Sequence, residues 1–309
     1  MQYAIYKLNF LGSVHFGNRA LERSETAFHA DTLFSALCQE AVKRGQDALD
    51  ALVQAAKDGR LLLSDAFPYA GDQLYLPKPY VQIDSNEDDS DSRKKKQFKK
   101  LEFVEVDLYE KFLSGEYPIE EQAGHLDDFG KHEIRQIVSI RGLDDPMPYR
   151  VGAYRFRDDC GLYVIAGTKD NAEDTMLEDL FTALGFAGIG GKRSAGYGRF
   201  SLTKRAVPDI LEKHLAGDYP QWVSLTAAIP KEEEMAKAVV GASGQMLKRS
   251  GFTASPSYSP TPMRKRDLYV YAAGSVFKNK FAGDVYDVAD GGAHPVYRYA
   301  KPLFLGVKA

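Results

Sequence analysis

The chain has 309 residues, 44% of them hydrophobic and 27% charged, with a formal net charge of −3. That length exceeds the usual single domain of roughly 100–200 residues, so two domains are expected, and the apolar content excludes whole-chain disorder. No apolar run approaches the ~20 residues of a membrane helix, and the start MQYAIYKLNF lacks the basic and apolar regions of a signal peptide.

Residues 3–16 partly alternate and are rich in Tyr, Ile, Leu and Phe, which predicts a first strand. HADTLFSALCQEAVKRG reads as a helix: Leu33, Phe34, Leu37, Cys38 and Ala41 share one 3.6-residue stripe, Asp31 can cap the start and Gly45 can end it. Residues 47–58 extend the pattern as a second short helix. LLLSDAFPY and LYLPKPY, punctuated by Pro68, Pro77 and Pro79, read as edge strands or extended connectors. Residues 84–100 join an acidic run to a basic one with almost nothing apolar to bury, which predicts a charged mobile insertion.

Residues 134–141, 149–157 and 161–166 are strand-like, the latter two read as a hairpin. Residues 173–184 form an amphipathic helix with Met176, Leu177, Leu180, Phe181 and Leu184 on one side, and the glycine-rich GFAGIGGKRSAGYGRF and a short strand follow. This order suits the β-α-β-β-α-β ferredoxin-like plan with insertions, in an α+β protein. The first domain is placed at residues 1–205 and a smaller, degenerate ferredoxin-like domain at 206–309. In the latter, a strand-rich unit is expected to begin with WVSLTAAIP at 222–230, with strands at 269–277, 284–288 and 296–307 and a short helix at 231–240.

Six glycines fall between residues 185 and 198. Such density permits positive φ angles and lets a ligand approach the backbone. A P-loop is excluded because Arg193 stands where Ser or Thr must follow Lys192, and no GxGxxG register exists. The segment also follows a helix, so the dipole there disfavours phosphate. The reading that remains is a platform for an extended polyanion. Gly188, Gly190, Gly191 and Gly196 free the backbone, Lys192, Arg193 and Arg199 supply charge, Ser194 a hydroxyl, and Tyr197 a stacking face.

GFAGIGGKRSAGYGRF after an amphipathic helix resembles the glycine-rich loop of the RAMP superfamily, the RNA-binding proteins of CRISPR systems. HADTLFSALC, LSDAFPY with LYLPKP, YRVGAYRF with GLYVIA, GSVFKNKFAGDVYDV and HPVYRYAKPLFLGV are similar to one branch of it. That branch is the type III-A (Csm) effector subunit that grips the repeat-derived 5′ tag of the CRISPR RNA. The resemblance implies two ferredoxin-like (RRM-like) domains across an RNA groove. It also implies contacts with a large polymerase-type signalling subunit and with the backbone RAMP subunit, a projecting thumb hairpin for which residues 241–266 are a candidate, and no catalysis. His15, Arg19, His29, Lys248 and Arg249 join the glycine-rich loop as expected RNA contacts.

The alternative is a metal-independent endoribonuclease with His29 or His15 as base and Lys192 stabilising the phosphorane. His132-Glu133 lacks the second half of an HExxH, Ser194 lies in no GxSxG elbow, and Cys38 and Cys160 form no CxxC. No metal, no cofactor and no membrane are therefore expected, and the cytoplasm is the expected compartment.

Overall fold

A computed structural model describes all residues except 19, 82–97, 120–128, 140–146, 254, 256, 260, 262 and 309. Arg19 and most of the charged stretch 84–100 lie outside the described residues. No helix among the described residues is long and apolar enough to cross a membrane.

The chain begins with β1 (Gln2–Phe10), β2 (Phe16–Asn18) and β3 (Ala20–Glu25), so the expected first strand ends at Phe10 rather than at 16. Helices α1 (Ala30–Arg44) and α2 (Gln46–Lys57) meet at Gly45, whose φ of +125° turns the chain between them. Strands β4 (Leu61–Leu63), β5 (Phe67–Ala70), β6 (Gln73–Pro77) and β7 (Phe103–Glu105) and the short α3 (Tyr109–Leu113) follow. Next come β8 (Gly130–Ser139), β9 (Met147–Phe156), β10 (Cys160–Thr168), α4 (Asn171–Ala187) and β11 (Phe200–Ala206).

The main sheet has the order β11-β1-β10-β5-β6-β7, with β4 also on β10, and its pairings are antiparallel. Alternate residues of its central strands face opposite sides. Tyr6, Leu8, Leu162 and Val164 pack under α1, α2 and α4, where Leu33, Phe34, Leu37 and Ala41 are buried and Cys38 stays half-buried. Ile5, Tyr163 and Ile165 face the other way. All nine residues of β10 are buried, which explains why residues 149–157 do not form a hairpin with it. β10 sits between β1 and β5, and β9 pairs instead with β8 over ten residues, from Gly130↔Phe156 to Ser139↔Met147.

The C-terminal part contains α5 (Asp209–Ala216), β12 (Gln221–Ser224), α6 (Glu232–Ala238), β13 (Met246–Arg249), β14 (Leu268–Tyr271), β15 (Val276–Phe277), β16 (Asp284–Asp287), β17 (Tyr297–Ala300) and β18 (Phe304–Val307). It builds a three-stranded sheet, β15-β12-β18, and two ribbons. Val207, Leu211, Val223 and Leu305 share one core with Ile5 and Tyr163, so the apolar packing runs through residue 206 without a gap. On the helical side Tyr299 enters the core beneath α1, and its hydroxyl accepts the Leu63 N–H at 3.0 Å.

Candidate nucleic-acid interface

Asp170 caps α4: its Oδ1 accepts the N–H groups of Ala172 and Glu173 at 2.9 and 3.3 Å. The helix stops at Gly188, and the glycine-rich segment then closes on itself. Ile189 N–H donates to Gly198 C=O at 3.0 Å, Gly198 N–H to Ser13 C=O at 3.1 Å, and Gly191 N–H to His15 C=O at 2.8 Å. At Gly198 φ is +73° and a Cβ would collide with the Ile189 backbone; at Gly190 φ is +95° and a Cβ would lie 2.6 Å from His15 O. These two glycines are required by the loop's own packing. Gly196, at φ +85°, faces open space.

What the loop leaves free lies at its tip. Lys192 adopts a left-handed conformation, φ +59°, and leads into a 3-10 turn over Arg193–Ala195. The N–H groups of Lys192, Arg193 and Ser194 find no acceptor among the described residues. Successive unpaired amides in such a turn make an anion-binding concavity. Ser194 and Arg199 are exposed. The flanking cations are aimed by neighbours: Lys192 Nζ donates to Tyr149 Oη at 3.2 Å and lies 4.7 Å from that ring's centre, and Arg193 Nη2 donates to Gln39 Oε1 of α1 at 2.9 Å. The hairpin β8–β9 is pinned alongside, with Arg135 Nη2 donating to Ser13 Oγ and to Glu133 Oε2, each at 3.1 Å.

Several expected contacts are placed otherwise. Tyr197 offers no stacking face: it is 6% exposed, with the Arg135 guanidinium 5.6 Å over its ring. His15 is buried beside Gly191, and its Nδ1 donates to Gly152 C=O at 2.6 Å, so it supports the loop from beneath. His29 occupies the N-cap position of α1 and donates through Nδ1 to Asp65 Oδ2 at 2.6 Å, with 35% of its side chain exposed. Asp65 Oδ1 in turn accepts the N–H groups of Ala30 and Ala227 at 2.8 and 3.1 Å. Asp65, not Asp31, therefore satisfies the start of α1. Asp31 is taken by Arg249, whose Nε and Nη2 donate to its two oxygens at 3.0 and 2.8 Å. Arg249 is thus an ion-paired residue two turns of α1 away from the glycine-rich loop. Lys248 is exposed and pairs with Asp267 at 2.7 Å.

Sequence reasoning missed Tyr149 and Arg135, which hold the cation and the tyrosine of the loop in place. The available signal was the alternation of β8 and β9, which puts Glu133, Arg135 and Tyr149 on one face. Among the described residues no group of three or more His, Cys, Asp and Glu side chains could hold a metal ion.

Comparison with known proteins adds a family. The family model described as the CRISPR Csm4 C-terminal domain matches residues 217–307. The chain is 39% identical over 309 residues to the "CRISPR system Cms protein Csm4" of Mycobacterium tuberculosis, covering 99% of this chain and 98% of that one. It is 35% identical to the protein of the same description from Streptococcus thermophilus, covering 98% of each. Among solved structures it is similar to a chain of a Csm3-Csm4 subcomplex of the type III-A CRISPR-Cas interference complex (TM-score 0.67, 17% identity, 100% of both chains). It is also similar to a chain of a Csm1-Csm4 cassette in complex with cA4 (TM-score 0.64, 22% identity, 100% of this chain and 98% of that one).

Proposed function

The chain belongs to the Csm4 family of type III-A CRISPR effector subunits, and on that premise we propose that it is a non-catalytic subunit holding the repeat-derived 5′ tag of a CRISPR RNA. The observation that carries this is the loop tip, where the N–H groups of Lys192, Arg193 and Ser194 have no acceptor among the described residues and stand beside the cations Lys192 and Arg193. Backbone donors and cations of this kind bind phosphates without reading bases. The strand order β11-β1-β10-β5, connected through α1 and α4, supports a ferredoxin-like first domain; the sheet β15-β12-β18 supports a reduced second one. Relatives solved with Csm3 and with Csm1 support a bridging place between the backbone RAMP subunit and the large polymerase-type subunit, in the cytoplasm. The hairpin β8–β9, with Ile134, Val138 and Met147 exposed, suits the thumb better than the candidate 241–266, whose strand β13 is tied to α1 through Arg249.

Lys192→Ala combined with Arg193→Ala is expected to weaken binding of tagged RNA by the reconstituted complex. The slope of log affinity against log salt should fall by up to about two. Unchanged affinity, slope and assembly would reject the reading.

One observation favours a second reading, an endoribonuclease: the His29–Asp65 pair resembles an oriented general base. Labelled repeat RNA incubated with the complex in EDTA is expected to stay intact. Products that disappear with His29→Ala would establish the nuclease instead.

A further inference from the structure

Helix α1 carries a half-buried polar stripe of Thr32, Ser35 and Gln39. Thr32 and Gln39 are seven residues apart, so they share a face and stand about 10 Å apart along the axis. Arg193 of the glycine-rich loop binds the Gln39 end. At the other end Arg249 Nη2 reaches Thr32 Oγ1 at 3.4 Å besides its two bonds to Asp31.

Two more cations crowd that end. Arg298 is 4% exposed; its Nη2 donates to Ser250 C=O at 3.3 Å. Its Nη1 is buried and ion-paired with Asp31 Oδ2 at 3.8 Å, too long for a hydrogen bond, and has no hydrogen-bond partner among the described residues. Lys265 is half-buried within electrostatic reach of Arg298, Asp31, Arg249 and Cys38; its backbone N–H donates to Gly251 C=O at 2.9 Å, and its Nζ makes no hydrogen bond or ion pair with any described residue. Burial, and then Arg298, push its ammonium below the usual lysine range. The neighbouring carboxylates are engaged, Asp65 by His29 and two N–H groups and Asp267 by Lys248. Among the described residues, Asp31 is therefore the one carboxylate that all three cations share.

We propose that Arg249, Lys265 and Arg298 form a pocket at the N-terminal end of α1 for one phosphodiester group of an RNA strand that runs along the polar stripe to the glycine-rich loop. A buried N–H without a hydrogen-bond acceptor and a half-buried ammonium that only shares a counter-ion are both unfavourable. An oxyanion satisfies both, and the start of a fifteen-residue helix adds a favourable dipole. The inference rests on the RNA-binding reading and names a second contact for it.

Lys265→Met keeps the aliphatic stem and removes the charge. In the RNA-free chain it is expected to leave the melting temperature unchanged or raise it. In the reconstituted complex it should weaken tagged RNA about tenfold and lower the salt slope by about one. A series of tagged RNAs, each with one neutral methylphosphonate, should contain one position at which Lys265→Met has no further effect. Arg298→Met should give the same pattern; if it does not fold, Lys265→Met decides alone. Wild-type binding with no change in affinity or slope for Lys265→Met would overturn the pocket and leave the RNA-binding reading standing. A wild-type complex that does not bind tagged RNA would overturn both.

Discussion

Gly198→Ala is expected to destabilise the chain by about 3 kcal/mol, the sum of a left-handed conformation forced on a β-carbon and an overpacked contact. The added carbon meets the carbonyl, C and N of Ile189, all backbone, so no side chain can swing aside. The clasp it strains includes the Ile189–Gly198 bond at 3.0 Å and the Gly198–Ser13 bond at 3.1 Å. Gly196→Ala shares the conformational cost, at φ +85°, but meets nothing within 4 Å; about 1–2 kcal/mol is expected. Thermal denaturation should separate the two, with Gly198→Ala losing roughly 5 °C and Gly196→Ala about half as much. RNA affinity should follow: the unpaired amides of residues 192–194 lose their arrangement in the first variant and keep it in the second. Equal losses of stability would mean that the loop is not closed on Ile189 and Ser13.

That contrast also marks what the sequence made legible. Six glycines after an amphipathic helix were enough to locate a backbone-rich loop, and four of them do take positive φ. Their partners were not legible, because the segment that packs under Gly190 and Gly191 is His15, some 175 positions earlier in the chain. Tyr197 shows the same limit: an aromatic between two glycines reads as a stacking face until the guanidinium of Arg135, from a distant hairpin, is found over it. The α1 stripe was readable from its 3.6-residue period, whereas the pairing of β9 with β8 rather than β10 depended on which strand the sheet centre claims. Lys248-Arg249 read locally as a basic patch, yet Asp31, the counter-charge of Arg249, lies 218 residues away. Arg298 did leave a trace, a charge set between Tyr297 and Tyr299 in an otherwise apolar strand.

Asp31→Asn is the substitution expected to cost most. Asparagine keeps the size and one oxygen but removes the only carboxylate among the described residues that is shared by Arg249, Arg298 and Lys265, and stranding buried charge costs about 3–5 kcal/mol. Burial by itself would raise the Asp31 carboxyl; the charge and hydrogen bonds of Arg249, then His29 and Arg298, outweigh it and hold the group well below the usual carboxylate range. The sign of the pH dependence follows. Because the folded-state pKa is depressed, the unfolded chain binds the proton first as pH falls. The stabilisation is complete above the ordinary Asp value of about 4 and is lost as pH drops toward the folded-state value. The stability gap between wild type and Asp31→Asn should therefore be widest near pH 7 and shrink below about pH 4, where the unfolded wild-type chain binds the proton that the folded one still excludes. A pH-independent gap would assign the loss to packing. Adding Arg249→Met should recover part of the loss, since one stranded cation goes with it. Tagged RNA should stabilise Asp31→Asn more than wild type, because a phosphate then supplies the anion that three cations lack.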